Sequence, residues 1–223
     1  MTYFENNLFT PPRLKELPHE QLKIAITIPC FNEPGLLATL HSLEDCQIAP
    51  STVEVLIHVN SPESASSEIL EQNNNTIKDF HSWNHGRKLT YYMLHSPALP
   101  DKHAGVGLAR KIVMDEAAWR FSKIDTPNGK YNGEKGVIVC LDADCKVESN
   151  YLGEIARQFE MLPDLSGCSI HFEPPLEGNE YPKAVYDSII NYELFLRYYV
   201  LALKWCGFPY PYHTIGSSMA VRS

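Results

Sequence analysis

A three-layer α/β/α sandwich around a mostly parallel central sheet is predicted by three features of this sequence. Apolar, β-branched runs alternate with helical segments along most of the chain. One run, Val137-Ile-Val-Cys-Leu, ends abruptly in two carboxylates, Asp142 and Asp144, as a buried parallel strand leaving the core would. The length, 223 residues, suffices for one large α/β domain with a substantial core, and no repeat or low-complexity stretch breaks the pattern.

The elements follow in order. Residues 1–22 are polar and proline-punctuated and read as an N-terminal extension or partner-contacting arm; the domain proper spans 23–223. Lys23–Ile28 is a strand that Pro29 should stop. Pro34–Asp45 is a helix with Leu36, Leu37, Leu40 and Leu43 on one face. Val53–Val59 is a second strand, and Ser61–Phe80 is mostly helical with a polar break at Asn73–Asn75. Lys88–Leu94 is a third strand and Gly105–Ser122 a strongly periodic helix. A loop over 123–135 precedes the acid-tipped strand, then come a helix near Ser149–Leu162 and a strand near Gly167–Phe172. Tyr181–Trp205 is aromatic-rich with helical spacing. It suits a buried or subunit-contacting helix, hence a homo-oligomer, better than a membrane-surface face, because its polar side lacks a dense basic cluster.

The formal charge of −8 argues against nucleic acid as a partner. No segment has the uninterrupted apolar length of a transmembrane helix, and the N-terminus lacks a basic-then-apolar signal pattern. Cys30, Cys46, Cys140, Cys145, Cys168 and Cys206 form no CxxC pair and several sit in apolar runs, as buried thiols in a reducing compartment do. The expectation is a cytoplasmic protein, at most peripheral at a membrane surface.

Right-handed crossovers gather the loops after each strand along one sheet edge, where α/β ligands bind. Four segments end there. IAITIPCFNEP exposes Asn32 and Glu33 ahead of a helix; VLIHVNS ends in Asn60; DKHAGVGLARK carries Gly105 and Gly107 into a helix bearing Arg110 and Lys111; LDADC carries the two acids. Two bare carboxylates one residue apart repel, so a cation or hydrogen-bond donors belong between them, and a divalent ion holding a diphosphate suits that need. A glycine-led helix N-terminus with a guanidinium behind it suits the diphosphate itself.

The order IPCFNE, Asn60, GVGLARK, LDAD resembles a family 2 glycosyltransferase with the GT-A (Rossmann-like) fold, over most of residues 23–223. That resemblance implies a nucleotide-diphosphate sugar donor, Mn²⁺ or Mg²⁺, and transfer, inverting in the family, to a hydroxyl acceptor such as a saccharide or lipid-linked saccharide. Carried over by position, Asp144 is the principal metal ligand and Asp142 faces the ribose or assists the metal through water. Pro29, Asn32 and Glu33 line the nucleoside pocket, Arg110 lies near the nucleobase or phosphates, and His103 and Gly105 shape that wall. Gly216–Arg222 matches the family's glycine-to-basic segment, and His213 ahead of it, or less favourably His171, is a further candidate metal ligand.

Three departures accompany the resemblance. The sequence stops at Ser223, where the acceptor-side half and its catalytic acid are expected, so no catalytic base is assigned and donor binding is better supported than turnover. Glu173, Glu177 and Glu180 lie in a proline-rich stretch and read as solvated turn residues. Asn60 stands where the family usually has an aspartate reading the base, which leaves the base open between uracil, guanine and thymine. Two other readings stay in view: a sugar nucleotidyltransferase, disfavoured by the lack of a glycine cluster after the first strand, and a non-catalytic sugar-nucleotide-binding or scaffolding domain.

Overall fold

The computed structural model describes residues 3–124, 136–213 and 215–223, so most of the loop expected over 123–135 lies outside the described residues. Among the described residues a six-stranded sheet has the order β3-β2-β1-β4-β6-β5. The strands are β1 (Ile24–Cys30), β2 (Val53–Pro62), β3 (Thr90–Leu99), β4 (Val137–Cys140), β5 (Gly167–Ser169) and β6 (Met219–Arg222). The first four are mutually parallel, while β6 runs antiparallel between β4 and β5. The helices are α1 (Tyr3–Asn6), α2 (Leu36–Glu44), α3 (Ser67–Trp83), α4 (Val106–Phe121), α5 (Tyr151–Met161) and α6 (Lys183–Trp205).

Alternation along the strands divides the core into two layers. Ile24, Ile26 and Ile28, with Val55, Ile57, Val59 and Val139, face Leu36, Leu40 and Leu43 of α2, Phe80 of α3 and Leu152 and Ile155 of α5. Ala25, Leu56 and Ile138 face the other way, onto Val113, Ala117 and Phe121 of α4. Each of these buried Val, Leu, Ile and Phe side chains contributes about 1.5–3 kcal/mol of transfer free energy. The predicted three-layer sandwich is the observed fold.

Pro29 does not stop β1: it pairs in register with His58 of β2, and the strand runs on to Cys30. Thr27, whose carbonyl accepts from the Leu141 N–H, points its backbone groups toward β4. Pro29, two residues on, points the same way, past the end of β4, so its missing N–H forfeits no ladder bond. Pro97 is tolerated where the β2–β3 register shifts between Asn60 and Pro62, and β3 runs to Leu99 rather than ending at Leu94.

Ser61 belongs to β2 and not to a helix; α3 starts later, with the Ser66 hydroxyl accepting from the Ile69 N–H at its N-cap. The polar triplet Asn73–Asn75 does not break α3, which continues to Trp83. The fifth strand is shorter than expected, ending at Ser169.

The N-terminal segment lies along α4. Tyr3 Oη donates to Asp115 Oδ1 (2.8 Å), and the Arg13 and Leu14 N–H groups donate to the two carboxylate oxygens of Glu116 (2.8 and 3.2 Å). Phe4 meets Trp119 edge-on. Helix α6 departs from expectation: Tyr186 is its buried residue, while Tyr192, Leu194, Phe195, Tyr198, Tyr199, Leu201 and Trp205 are exposed, Trp205 by 90%. Glu193, Arg197 and Lys204 lie on the opposite side at helical spacing, so the C-terminal half presents an uncharged aromatic face of the kind that marks a contact surface. Among the described residues no helix is long and apolar enough to cross a membrane. All six cysteines are free.

Candidate functional site

The C-terminal ends of β1, β2 and β4 and the N-terminus of α4 enclose a cavity of about 380 Å³. β1 contributes Pro29, Cys30, Phe31 and Glu33; β2 contributes Asn60; the approach to α4 contributes Ala104, Gly105 and Val106; the segment after β4 contributes Asp142, Ala143 and Asp144. Six of the sequence-expected residues thus meet on one cavity: Pro29, Glu33, Asn60, Gly105, Asp142 and Asp144.

The exit from β1 is a bent, tethered turn. Asn32 has φ = 52°, in the left-handed region that asparagine tolerates better than most side chains. It does not line the cavity but shapes the turn between Phe31 and Glu33, which do. Glu33 Oε1 accepts the Gly35 N–H at 2.6 Å, and a Cβ on Gly35 would sit 2.8 Å from that oxygen. A side chain at position 35 would therefore displace the flexible Glu33 carboxylate from this bond. Asn60 is 3% exposed and its side-chain amide has no hydrogen-bond partner among the described residues, which leaves it available to a bound molecule.

Gly105 is the N-cap of α4 and brings no capping side chain. The first N–H groups of a 16-residue helix are therefore left without a capping side chain where Gly105 and Val106 line the cavity, and the helix dipole favours negative charge there. His103 lies outside the lining, in the turn before α4, where its N–H donates to the Pro100 carbonyl.

Arg110 does not reach into the cavity as a free phosphate ligand. Its Nη2 sits 2.6 Å from Asp142 Oδ1, and its side chain is largely buried. The turn before β6 closes over it: a Cβ on Gly216 would lie 2.7 Å from Arg110 Nη1. The expected glycine-to-basic segment is thus both the strand β6 and the cover of the guanidinium. Asp144 stays exposed and accepts a weak contact from its neighbour Cys145 Sγ (3.5 Å). Burial, with Asp144 alongside, pushes the Cys145 thiol up to about 11, so it stays protonated near neutrality.

The charge balance bears on a metal ion. Three carboxylates, of Glu33, Asp142 and Asp144, line the cavity, and the Arg110 guanidinium is committed to Asp142. A diphosphate entering beside these acids meets net repulsion that a helix terminus of about +0.5 charge does not offset alone. Among the described residues no three His, Cys, Asp or Glu side chains form a ready-made metal cage. The residues fit an ion of the Mg²⁺ type, which takes one or two carboxylates and completes its shell with substrate phosphates and water. His213 is not part of that set: its ring packs on Phe172, and its carbonyl accepts from Ser169 Oγ. His171, Glu173, Glu177 and Glu180 are exposed, with His171 bonded to Glu173.

Sequence reasoning missed three contributors. Phe31 stands 46% exposed at the cavity. Asn73 and Thr76, on α3, hold the β1 turn from behind: Asn73 Oδ1 accepts the Asn32 N–H (2.9 Å) and Thr76 Oγ1 donates to the Glu33 carbonyl (3.0 Å). Their signal was periodic, since Asn73, Thr76, Phe80 and Trp83 form the buried stripe of α3 at helical spacing.

No protein-family model matches this chain, and no curated protein does. Solved structures do. A mannosyltransferase, PcManGT from Pyrobaculum calidifontis, in complex with GDP-Man and Mn²⁺, superposes with a TM-score of 0.50 at 12% identity, over 96% of this chain and 48% of that one. TarS 1–349 from S. aureus in complex with UDP gives a TM-score of 0.48 at 14% identity over 72% of this chain and 38% of that one. The chain therefore spans less than half of either structure, and the likeness at these identities is one of fold.

Proposed function

We propose that this chain binds a nucleotide-diphosphate sugar together with Mn²⁺ or Mg²⁺ and serves as the donor-binding part of a glycosyltransferase of the family 2 type. One observation carries the reading: a cavity at the sheet edge joins the DxD carboxylates to an uncapped helix N-terminus, so a cation site and a phosphate site share one space. The fold it shares with a mannosyltransferase solved with GDP-Man and Mn²⁺ supports the same reading.

Each residue then has a task. Asp144 and the unpaired side of Asp142 hold the ion. The amide groups at the start of α4 receive phosphate oxygens. Phe31 offers a ring face and Asn60 a carbonyl and an amide to the nucleobase. Arg110 fixes Asp142, so that its carboxylate keeps one orientation. A bound ion supplies the positive charge that stabilises a departing nucleoside diphosphate. Glu33 Oε1 is engaged by the Gly35 N–H, and no base for the acceptor hydroxyl is assigned to it. The uncharged face of α6 supports contact with a further surface, a second copy of the chain being the oligomer reading carried from the sequence.

Calorimetric titration with UDP, GDP and TDP, each with Mn²⁺ and with EDTA, tests the reading. Binding of one of them that requires the metal is expected; binding of none, or binding indifferent to EDTA, sinks it. Acceptor-dependent release of nucleoside diphosphate then separates transfer from donor binding alone.

A further inference from the structure

Two walls of the cavity, the turn after β1 and the end of β2, are tied together by one side chain that does not itself line the cavity. Asn73 is 1% exposed in the second turn of α3. Its Oδ1 accepts the Asn32 N–H at 2.9 Å, and its Nδ2 donates to the Asn60 carbonyl at 3.0 Å. These partners are 41 and 13 residues away in sequence. Only an amide at this position serves both, because one partner is a donor and the other an acceptor. A carboxylate would present oxygen to the Asn60 carbonyl, and an apolar isostere would remove the Asn32 N–H's partner and strip the buried Asn60 carbonyl of this donor.

The need for such a tie is visible at Asn32. A non-glycine residue in the left-handed region is held there by its surroundings. Thr76 adds a second hold on the same turn through the Glu33 carbonyl. Phe31 and Glu33 flank Asn32 and line the cavity, so the backbone angle of Asn32 sets where they stand. Across the cavity, the carbonyl of Asn60 is held while its side chain stays uncommitted.

We infer that Asn73 is a positioning residue for the donor site, fixing the spacing between the Phe31–Glu33 turn and Asn60 and thereby the affinity for the nucleoside end of the ligand. The inference rests on the donor-site reading above. In ligand-free protein, Asn73→Leu loses hydrogen-exchange protection at the Asn32 amide while Ile26, in the middle of β1, keeps its protection. Its affinity for the nucleoside diphosphate that the parent binds with Mn²⁺ falls about tenfold, the scale of one or two lost buried hydrogen bonds. Asn73→Asp retains the acceptor and so keeps protection at Asn32, but loses affinity through Asn60. Ile155→Ala, a core truncation on α5 remote from the cavity, lowers the melting temperature and leaves affinity and Asn32 protection as in the parent. Unchanged Asn32 protection in Asn73→Leu overturns the inference, as does affinity within twofold of the parent in both Asn73 variants. A parent that binds no nucleoside diphosphate defeats the donor reading instead, and exchange at Asn32 still decides whether Asn73 holds the turn. Should Asn73→Leu not fold, Asn73→Asp carries the test.

Discussion

Arg110 and Asp142 are locked together at 2.6 Å, and Gly216 leaves the space in which that guanidinium lies. A methyl group at position 216 would stand 2.7 Å from Nη1, so the far end of Arg110 must move and Asp142 loses its fixed partner. Gly216→Ala is therefore expected to weaken metal-dependent nucleotide binding several-fold, with a stability change of about 1 kcal/mol or less, since a flexible side chain absorbs the clash. Calorimetry and thermal melting of the same preparation check both halves. An unchanged affinity would show that the Arg110–Asp142 pair plays no part in shaping the site.

A second pair supports the scaffold. Arg120 of α4 grips both carboxylate oxygens of Glu54 on β2, with Nη2 to Oε1 at 2.7 Å, and both side chains are almost fully buried. Arg120 also donates to the Glu16 carbonyl and lies over the Tyr92 ring, so it ties the N-terminal segment to the sheet. Arg120→Met leaves a buried carboxylate unpaired and should cost about 3–5 kcal/mol in urea unfolding. The double variant Arg120→Met with Glu54→Leu should recover a large part of that loss. Equal losses in the single and double variants would contradict this account of the pair.

His58 makes stability pH-dependent. It is fully buried in β2, with Nδ1 donating to the Ala109 carbonyl (3.1 Å) and Nε2 within hydrogen-bond distance of Ser96 Oγ (2.9 Å). Burial, with Arg13 and His95 nearby, lowers its pKa to about 4 from 6.5. Between these values the unfolded chain binds a proton that the folded chain refuses. The His58 contribution is thus complete above about 6.5 and is lost as pH falls toward about 4, up to about 3 kcal/mol in all. Urea midpoints for the parent should fall across this window more steeply than those of His58→Gln. Parallel pH profiles would contradict the assignment.

The parts of the fold that could be read from sequence are those that local pattern determines. The runs Ile24–Ile28, Val53–Val59 and Val137–Leu141 are mostly apolar because both sheet faces are covered, with Thr27, Glu54 and His58 as the buried polar exceptions, and Gly105 before a long periodic helix marks the start of α4. The DxD acids could be placed at the sheet edge for the same reason. What pattern does not carry is the identity of distant partners. Whether Pro29 ends a strand depends on whether a neighbour lies on its N–H side, which is a property of the sheet order. Asn73 looks like a helix-breaking polar residue until two strand ends are placed against it. Arg110 was expected on the nucleobase or phosphates and pairs with Asp142, since residue spacing alone does not say which of two nearby acids a guanidinium will find. The exposure of α6 was equally hidden, because an aromatic helix reads the same whether or not anything covers it.

The central claim, that the sheet-edge cavity takes a nucleoside diphosphate through a cation held at Asp144, is tested most directly by one variant. Asp144 is exposed at the end of the segment after β4, so Asp144→Ala should leave stability within about 0.5 kcal/mol of the parent. Titration of parent and variant with the preferred nucleoside diphosphate, with Mn²⁺ and with EDTA, is the measurement. Metal-dependent binding in the parent that disappears in Asp144→Ala is the predicted result. Binding of equal strength in both, with Mn²⁺ present, would contradict it.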